Sequence, residues 1–105
     1  MRPASLVASV AEGEGRIEVI LPRALLDYSQ GRDTIQLSGH TLAEILGGLD
    51  TEFPGLRERI VDDQGKVRRF VHVFVNGDSV HSLEPEAVEL RPGDQVHILP
   101  SVAGG

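Results

Sequence analysis

The sequence predicts an α+β domain in which a mixed sheet of four to five strands carries one main helix on one face. Three observations point there. Residues 16–37 hold two short apolar segments joined by a polar connection. Residues 41–49 hold one capped amphipathic helix. Residues 69–99 hold a strongly β-prone run, an Asn-Gly turn and a closing strand. One helix laid over one sheet face is the economical way to bury these apolar sets together.

Arg16-Ile17-Glu18-Val19-Ile20-Leu21 alternates as a strand does and is closed by Pro22. A longer connection turns at Gln30-Gly31-Arg32-Asp33 and leads into a second short strand, Thr34-Ile35-Gln36-Leu37, ended by Ser38-Gly39. Strands this close in sequence form an antiparallel hairpin most simply. Thr41-Leu42-Ala43-Glu44 is a capping box, and Leu42, Ile45, Leu46 and Leu49 then recur at helical spacing. Gly47 and Gly48 lie inside that helix, either to let it approach a sheet or merely weakening it. Phe53-Pro54-Gly55 stops the helix, and Leu56 to Ile60 reads as a second short helical turn.

After the polar turn Asp62-Asp63-Gln64-Gly65-Lys66 comes Arg69-Phe70-Val71-His72-Val73-Phe74-Val75, the strongest strand signal in the chain. Asn76-Gly77 is a type I′ turn signature, with Asp78-Ser79-Val80 returning as a brief strand. Leu90-Arg91-Pro92-Gly93-Asp94 makes another tight turn, and Gln95 to Leu99 is the last strand, stopped by Pro100. The order is hairpin, helix, strand, short strand, strand. This is the β-grasp arrangement, in which the first and last strands lie side by side.

Composition narrows the function classes. A chain of 105 residues is one domain, long enough to bury roughly 60–70% of its unfolded surface. Cysteine is absent, which excludes disulfides, thiolate-bound zinc and cysteine nucleophiles. A net charge of −6 argues against a nucleic-acid partner and suits one with a basic groove. Its basic residues are nine arginines and a single lysine, Lys66. No apolar run is long enough to cross a membrane. The start, Met1 to Ala11, has one basic residue and small residues near Ala11, but its apolar centre is short and broken by serine. The expectation is a cytoplasmic protein with an N-terminal extension over 1–15, a β-grasp domain over 16–100 and a C-terminal tail over 101–105.

Five segments, in order and spacing, carry a resemblance: Thr41 to Glu44, Phe53-Pro54-Gly55-Leu56-Arg57, Val73-Phe74-Val75-Asn76-Gly77, Leu90 to Asp94, and Val96 to Gly105. Together they resemble the ubiquitin-like sulfur-carrier proteins, the group that includes the thiamine sulfur carrier and the small subunit of molybdopterin synthase. The resemblance covers residues 16–105, and the first fifteen residues depart from it. Within the group, residues 69–76 and the Val-Ala-Gly-Gly end look closest to the carrier of actinobacterial cysteine biosynthesis.

The resemblance implies a chemistry. A carboxylate is a poor electrophile, because resonance and negative charge both repel a nucleophile. Members of this group are adenylated at the terminal glycine by an E1-like enzyme using Mg²⁺-ATP, and sulfide or a persulfide then displaces AMP to leave a thiocarboxylate. On that reading Gly105 carries the sulfur, and Gly104 passes where a Cβ would collide. Val102 and Ala103 form the extended arm, and Ser101 tolerates solvent. The carrier itself binds no cofactor. Its implied partners are the E1-like adenylating enzyme and a sulfur-accepting biosynthetic enzyme, for which the cysteine branch offers a pyridoxal-phosphate cysteine synthase. Two other roles share the tail: a small subunit of molybdopterin synthase, and a protein modifier joined to other proteins through Gly105.

Alternation also predicts a docking patch. With Val96 and Ile98 turned inward, His97 and Leu99 face out. With Val71, Val73 and Val75 on the helix side, Phe70, His72 and Phe74 lie on the open face. Phe74, His72, His97 and Leu99 then gather into one exposed patch. Other constellations are weaker. His40, His72, His81 and His97 lack metal-ligand spacing, so no metal site is expected. Gly13-Glu14-Gly15 precedes a strand and is not a dinucleotide fingerprint. Ser79, His81 and Glu84 come without a nucleophile elbow. Glu84, Glu86 and Glu89 read as a solvated loop. The chain shows no catalytic site.

Overall fold

A computed structural model describes residues 16–80 and 83–100. Its strands are β1 (Arg16–Ile20), β2 (Thr34–Ser38), β3 (Val71–Val75), β4 (Asp78–Ser79) and β5 (Gln95–Pro100). They form one mixed sheet in the order β2-β1-β5-β3-β4, with β1 and β5 parallel at the centre and the other pairs antiparallel. The expected β-grasp layout is present, with first and last strands side by side.

The main helix spans Leu42–Glu52 and buries Leu42, Ile45, Leu46 and Leu49, the residues its spacing singled out. Thr41 caps it: its Oγ1 accepts the Glu44 amide at 3.2 Å. The Glu44 carboxylate accepts the His40 amide at 2.7 Å, one residue earlier than the usual box, so it secures the loop entering the helix. The helix packs on the face formed by Ile17, Val19, Ile35, Val73, Val96 and Ile98, all buried. Each such side chain contributes roughly 1.5–3 kcal/mol of hydrophobic stabilisation.

The two helix glycines are not required by packing. A Cβ on Gly47 would meet nothing, and one on Gly48 would touch Leu37 at an ordinary 3.5 Å. Close approach to the sheet therefore does not explain them. The short helix, Leu56–Ile60, follows Gly55, whose φ of 97° is left-handed. Asp50 Oδ1 accepts the amides of Gly55 and Arg57, fastening this turn to the end of the main helix.

Every strand differs from expectation by one or two residues at one end, and one helical turn was unexpected. β3 starts at Val71 rather than Arg69, because Arg68 is held at the short helix: its amide donates to the Ile60 carbonyl and its Nε to the Glu58 carbonyl. The chain must turn at Arg69-Phe70 before joining the sheet. β5 includes Pro100, which pairs with Val71; a proline at a strand's last position costs no interior ladder bond. The connection after β1 contains a 3-10 helix, Arg23–Tyr28, unannounced by any periodicity. In the turn before β3, Asp62 accepts the amides of Lys66 and Gln64. The Lys66 bond first, then the Gln64 bond and the nearby Arg68 and Lys66 charges, hold its carboxyl below the ordinary range.

Candidate functional site

The face of the sheet away from the helix is where the sequence placed its patch. Antiparallel pairing of β3 with β5 sets His72 beside Leu99 and Phe74 beside His97, each pair on one face. Parallel pairing of β1 with β5 sets Ile20 beside His97. A row Ile20–His97–Phe74 therefore crosses three strands, with His72 and Leu99 forming the row next to it. The His72 and Phe74 rings meet edge to face at 6.0 Å between centroids. Leu99 is 42% exposed and Phe70 63% exposed, while His72, Phe74 and His97 are half-buried. Neither Phe70 nor Phe74 joins the core; its phenylalanine is Phe53.

All four patch residues are thus on one side of the sheet. Ile20 was not singled out. Val19-Ile20-Leu21 is a continuous apolar run, so the alternation of Ile17 and Val19 was its only cue, and only the β1–β5 register shows that it extends the row.

The opposite end of the same face is polar and cross-linked. Gln36 and Gln95 both donate to the Glu18 carboxylate, at 3.4 and 2.6 Å. Asn76 Nδ2 donates to Asp94 Oδ1 at 2.9 Å, while the Gln95 amide donates to Asn76 Oδ1 at 2.9 Å. Asp94 Oδ2 accepts the Arg91 amide at 2.8 Å. The Asn-Gly and Pro-Gly-Asp turns are therefore one hydrogen-bonded unit. Asn76 and Gly77 have φ of 51° and 91°, as a type I′ hairpin requires.

β5 runs from this polar end to the apolar end and delivers the chain there at Pro100. The tail residues Ser101, Val102, Ala103, Gly104 and Gly105 lie outside the described residues, as do the extension 1–15 and His81. Among the described residues no three metal-ligating side chains come together, and no helix is long and apolar enough to cross a membrane. Glu84, Glu86 and Glu89 are exposed, with Glu84 3.6 Å from Lys66.

Comparison with known proteins places this geometry. The ThiS family profile matches residues 19–105. The sulfur carrier protein CysO of Mycobacterium tuberculosis is 35% identical over 91 residues, which span 85% of this chain and 98% of that protein. Small archaeal modifier protein 3 of Haloferax volcanii is 40% identical over 65 residues, 62% of this chain and 70% of that one. The crystal structure of M. tuberculosis CysO matches with a TM-score of 0.76 at 33% identity, over 82% of this chain and 99% of its own. A chain of the Amycolatopsis orientalis BexX/CysO complex matches with a TM-score of 0.76 at 31% identity, over 85% of this chain and 99% of its own. The β-grasp body and these likenesses together make the chain a member of the ThiS family of ubiquitin-like sulfur carriers, whose relatives include small archaeal modifiers.

Proposed function

We propose that this chain carries sulfur as a thiocarboxylate on Gly105. The observation that carries the reading is that the family match extends through Gly104 and Gly105. An activating enzyme binds the tail, and a Gly105 carboxylate oxygen attacks the α-phosphorus of Mg²⁺-ATP, releasing pyrophosphate. The acyl adenylate has a neutral carbonyl and a good leaving group. Hydrosulfide adds to that carbonyl, AMP departs, and one carboxylate oxygen has been replaced by sulfur. Gly104 gives the backbone clearance in the activating site, with Val102 and Ala103 as the arm. The chain supplies an acyl group and a docking body, and the catalysis belongs to its partners.

The apolar rows of the open face, Ile20–His97–Phe74 and His72–Leu99, are the surface that meets the activating enzyme. For the acceptor, the likeness to CysO favours cysteine formation. The thiocarboxylate sulfur would replace the activated oxygen leaving group at a serine Cβ, a step for which a partner synthase would supply pyridoxal phosphate. Hydrolysis of the acyl link at Gly105 would then free cysteine and restore the carboxylate. The test is intact mass after incubation with a ThiS-family activating enzyme, ATP and sulfide. The expected increment is that of one sulfur replacing one oxygen, absent when Gly105 is deleted. No increment, under conditions that load M. tuberculosis CysO, would refute the reading.

A second reading has its own support in the 40% identity to small archaeal modifier protein 3. Here the activated Gly105 acylates a lysine amine of another protein, with loss of AMP. Gly-Gly remnants on target lysines, released by a protease that cuts after Ala103, are the readout. Self-linkage through side-chain lysines would be confined to Lys66.

A further inference from the structure

A small apolar cleft opens where three segments meet at the apolar end of the sheet. Pro22, Ala24 and Leu25 contribute from the turn after β1, Phe70 from the turn before β3, and Leu99 and Pro100 from the end of β5. Its volume is 140 Å³, close to the roughly 150 Å³ apolar cavity that holds a benzene ring. It therefore suits one leucine-sized or phenylalanine-sized side chain.

Within the segments that line it, the charged residues have one sign. The chain as a whole has 16 acidic against 10 basic residues. Yet residues 22–25, 69–71 and 98–100 contain only two charged groups, Arg23 and Arg69. Arg23 sits between two lining residues, and the Arg69 guanidinium lies 5.7 Å from the centre of the Phe70 ring. Neither arginine is ion-paired with a described residue. Arg68, by contrast, donates its Nε to the Glu58 carbonyl. Along the chain the nearest carboxylate is Asp27, two residues past the lining.

We propose that this cleft is a socket for one apolar side chain of a partner protein, presented in a segment with carboxylates on both sides of it. The side chain fills the apolar floor, and the flanking carboxylates meet Arg23 and Arg69. Leu99 belongs both to the socket and to the apolar rows, so an inserted segment continues onto the open face. Pro100 lines the socket, so the partner is engaged at the root of the tail. This assignment goes beyond the sulfur-carrier reading and needs neither activation nor sulfur.

Two short synthetic peptides test it by NMR titration of the isotope-labelled full chain. One carries a phenylalanine flanked by aspartates, the other the same phenylalanine flanked by lysines. The aspartate peptide should give saturable shifts centred on Ala24, Leu25, Phe70 and Leu99, weakening as salt rises. The lysine peptide should bind about tenfold more weakly, the sum of two exposed charge pairs. In the double variant Arg23→Glu/Arg69→Glu the preference should reverse, with the melting temperature confirming an intact fold. Phe70→Ala, at an exposed position, should weaken both peptides. Equal affinity for the two peptides, shifts centred on another face, or no saturable binding of either would each overturn the proposal.

Discussion

The two faces of the sheet use similar residues for opposite ends. On the covered face, Val19, Val73, Val96 and Ile98 pack beneath Ile45, Leu46 and Leu49 and are at most 1% exposed. On the open face, Ile20, Phe74 and Leu99 come from the same three strands, yet Ile20 and Phe74 are only half-buried and Leu99 is exposed. Burial on the first face holds the fold. The second divides between a polar mesh around Glu18 and Asp94 and an apolar end, the proposed docking surface, that keeps hydrophobic area exposed or half-buried. Alternation along a strand lets one segment serve both roles, because successive side chains point to opposite faces.

The strongest way to break this comparison is to remove volume from the covered face. Ile98→Ala leaves a cavity beneath the helix and should cost about 2–5 kcal/mol, read as a lower denaturant midpoint. A loss comparable to that of an exposed substitution would mean the core does not depend on this contact.

The polar mesh should matter next. Asn76→Ala loses bonds to Asp94 and Gln95 and puts a Cβ-bearing residue without a helpful side chain at φ of 51°. A cost of about 1–2 kcal/mol is expected. Asn76→Gly keeps the turn but not the bonds, so its unfolding midpoint separates the two contributions.

Phe74→Asp addresses the open face. Stability should change by about 1 kcal/mol or less, the span of strand preference at such sites, while affinity for an activating enzyme should fall at least about tenfold if this ring anchors the contact. Equal affinity, measured by calorimetry, would remove Phe74 from the docking surface. Smallest is Gly47→Ala, which meets no atom and should raise stability by about 0.5–1 kcal/mol in chemical denaturation.

Much of the architecture was legible because its signals are local. Thr41 and Glu44 announce the helix start, Asn76-Gly77 announces its hairpin, and alternation in 71–75 and 96–99 assigns each side chain a face. What escaped depends on contacts distant in sequence. Arg23–Tyr28 is too short to display a helical period. The late start of β3 follows from Arg68 reaching Glu58 and Ile60. Ile20 joins the row only through the register of β1 on β5. The cleft exists only where residues near 22, 70 and 99 converge, and no one of those segments encodes it. The glycine tail is the reverse case: its proposed chemistry is read from a resemblance that five segments carry and that ends in Gly104-Gly105, while its position lies outside the described residues.

On the proposed function the folded body and the reactive end are separable: the sheet holds the structure and Gly105 carries the chemistry. The direct test is sulfur loading and thermal melting on one sample of the Gly105-deleted chain beside the full chain, with a ThiS-family activating enzyme, ATP and sulfide. The full chain should gain the sulfur mass increment, and the deleted chain should lose it completely while melting at an unchanged temperature. Retention of that increment after deletion, or a marked drop in melting temperature, would contradict that separation.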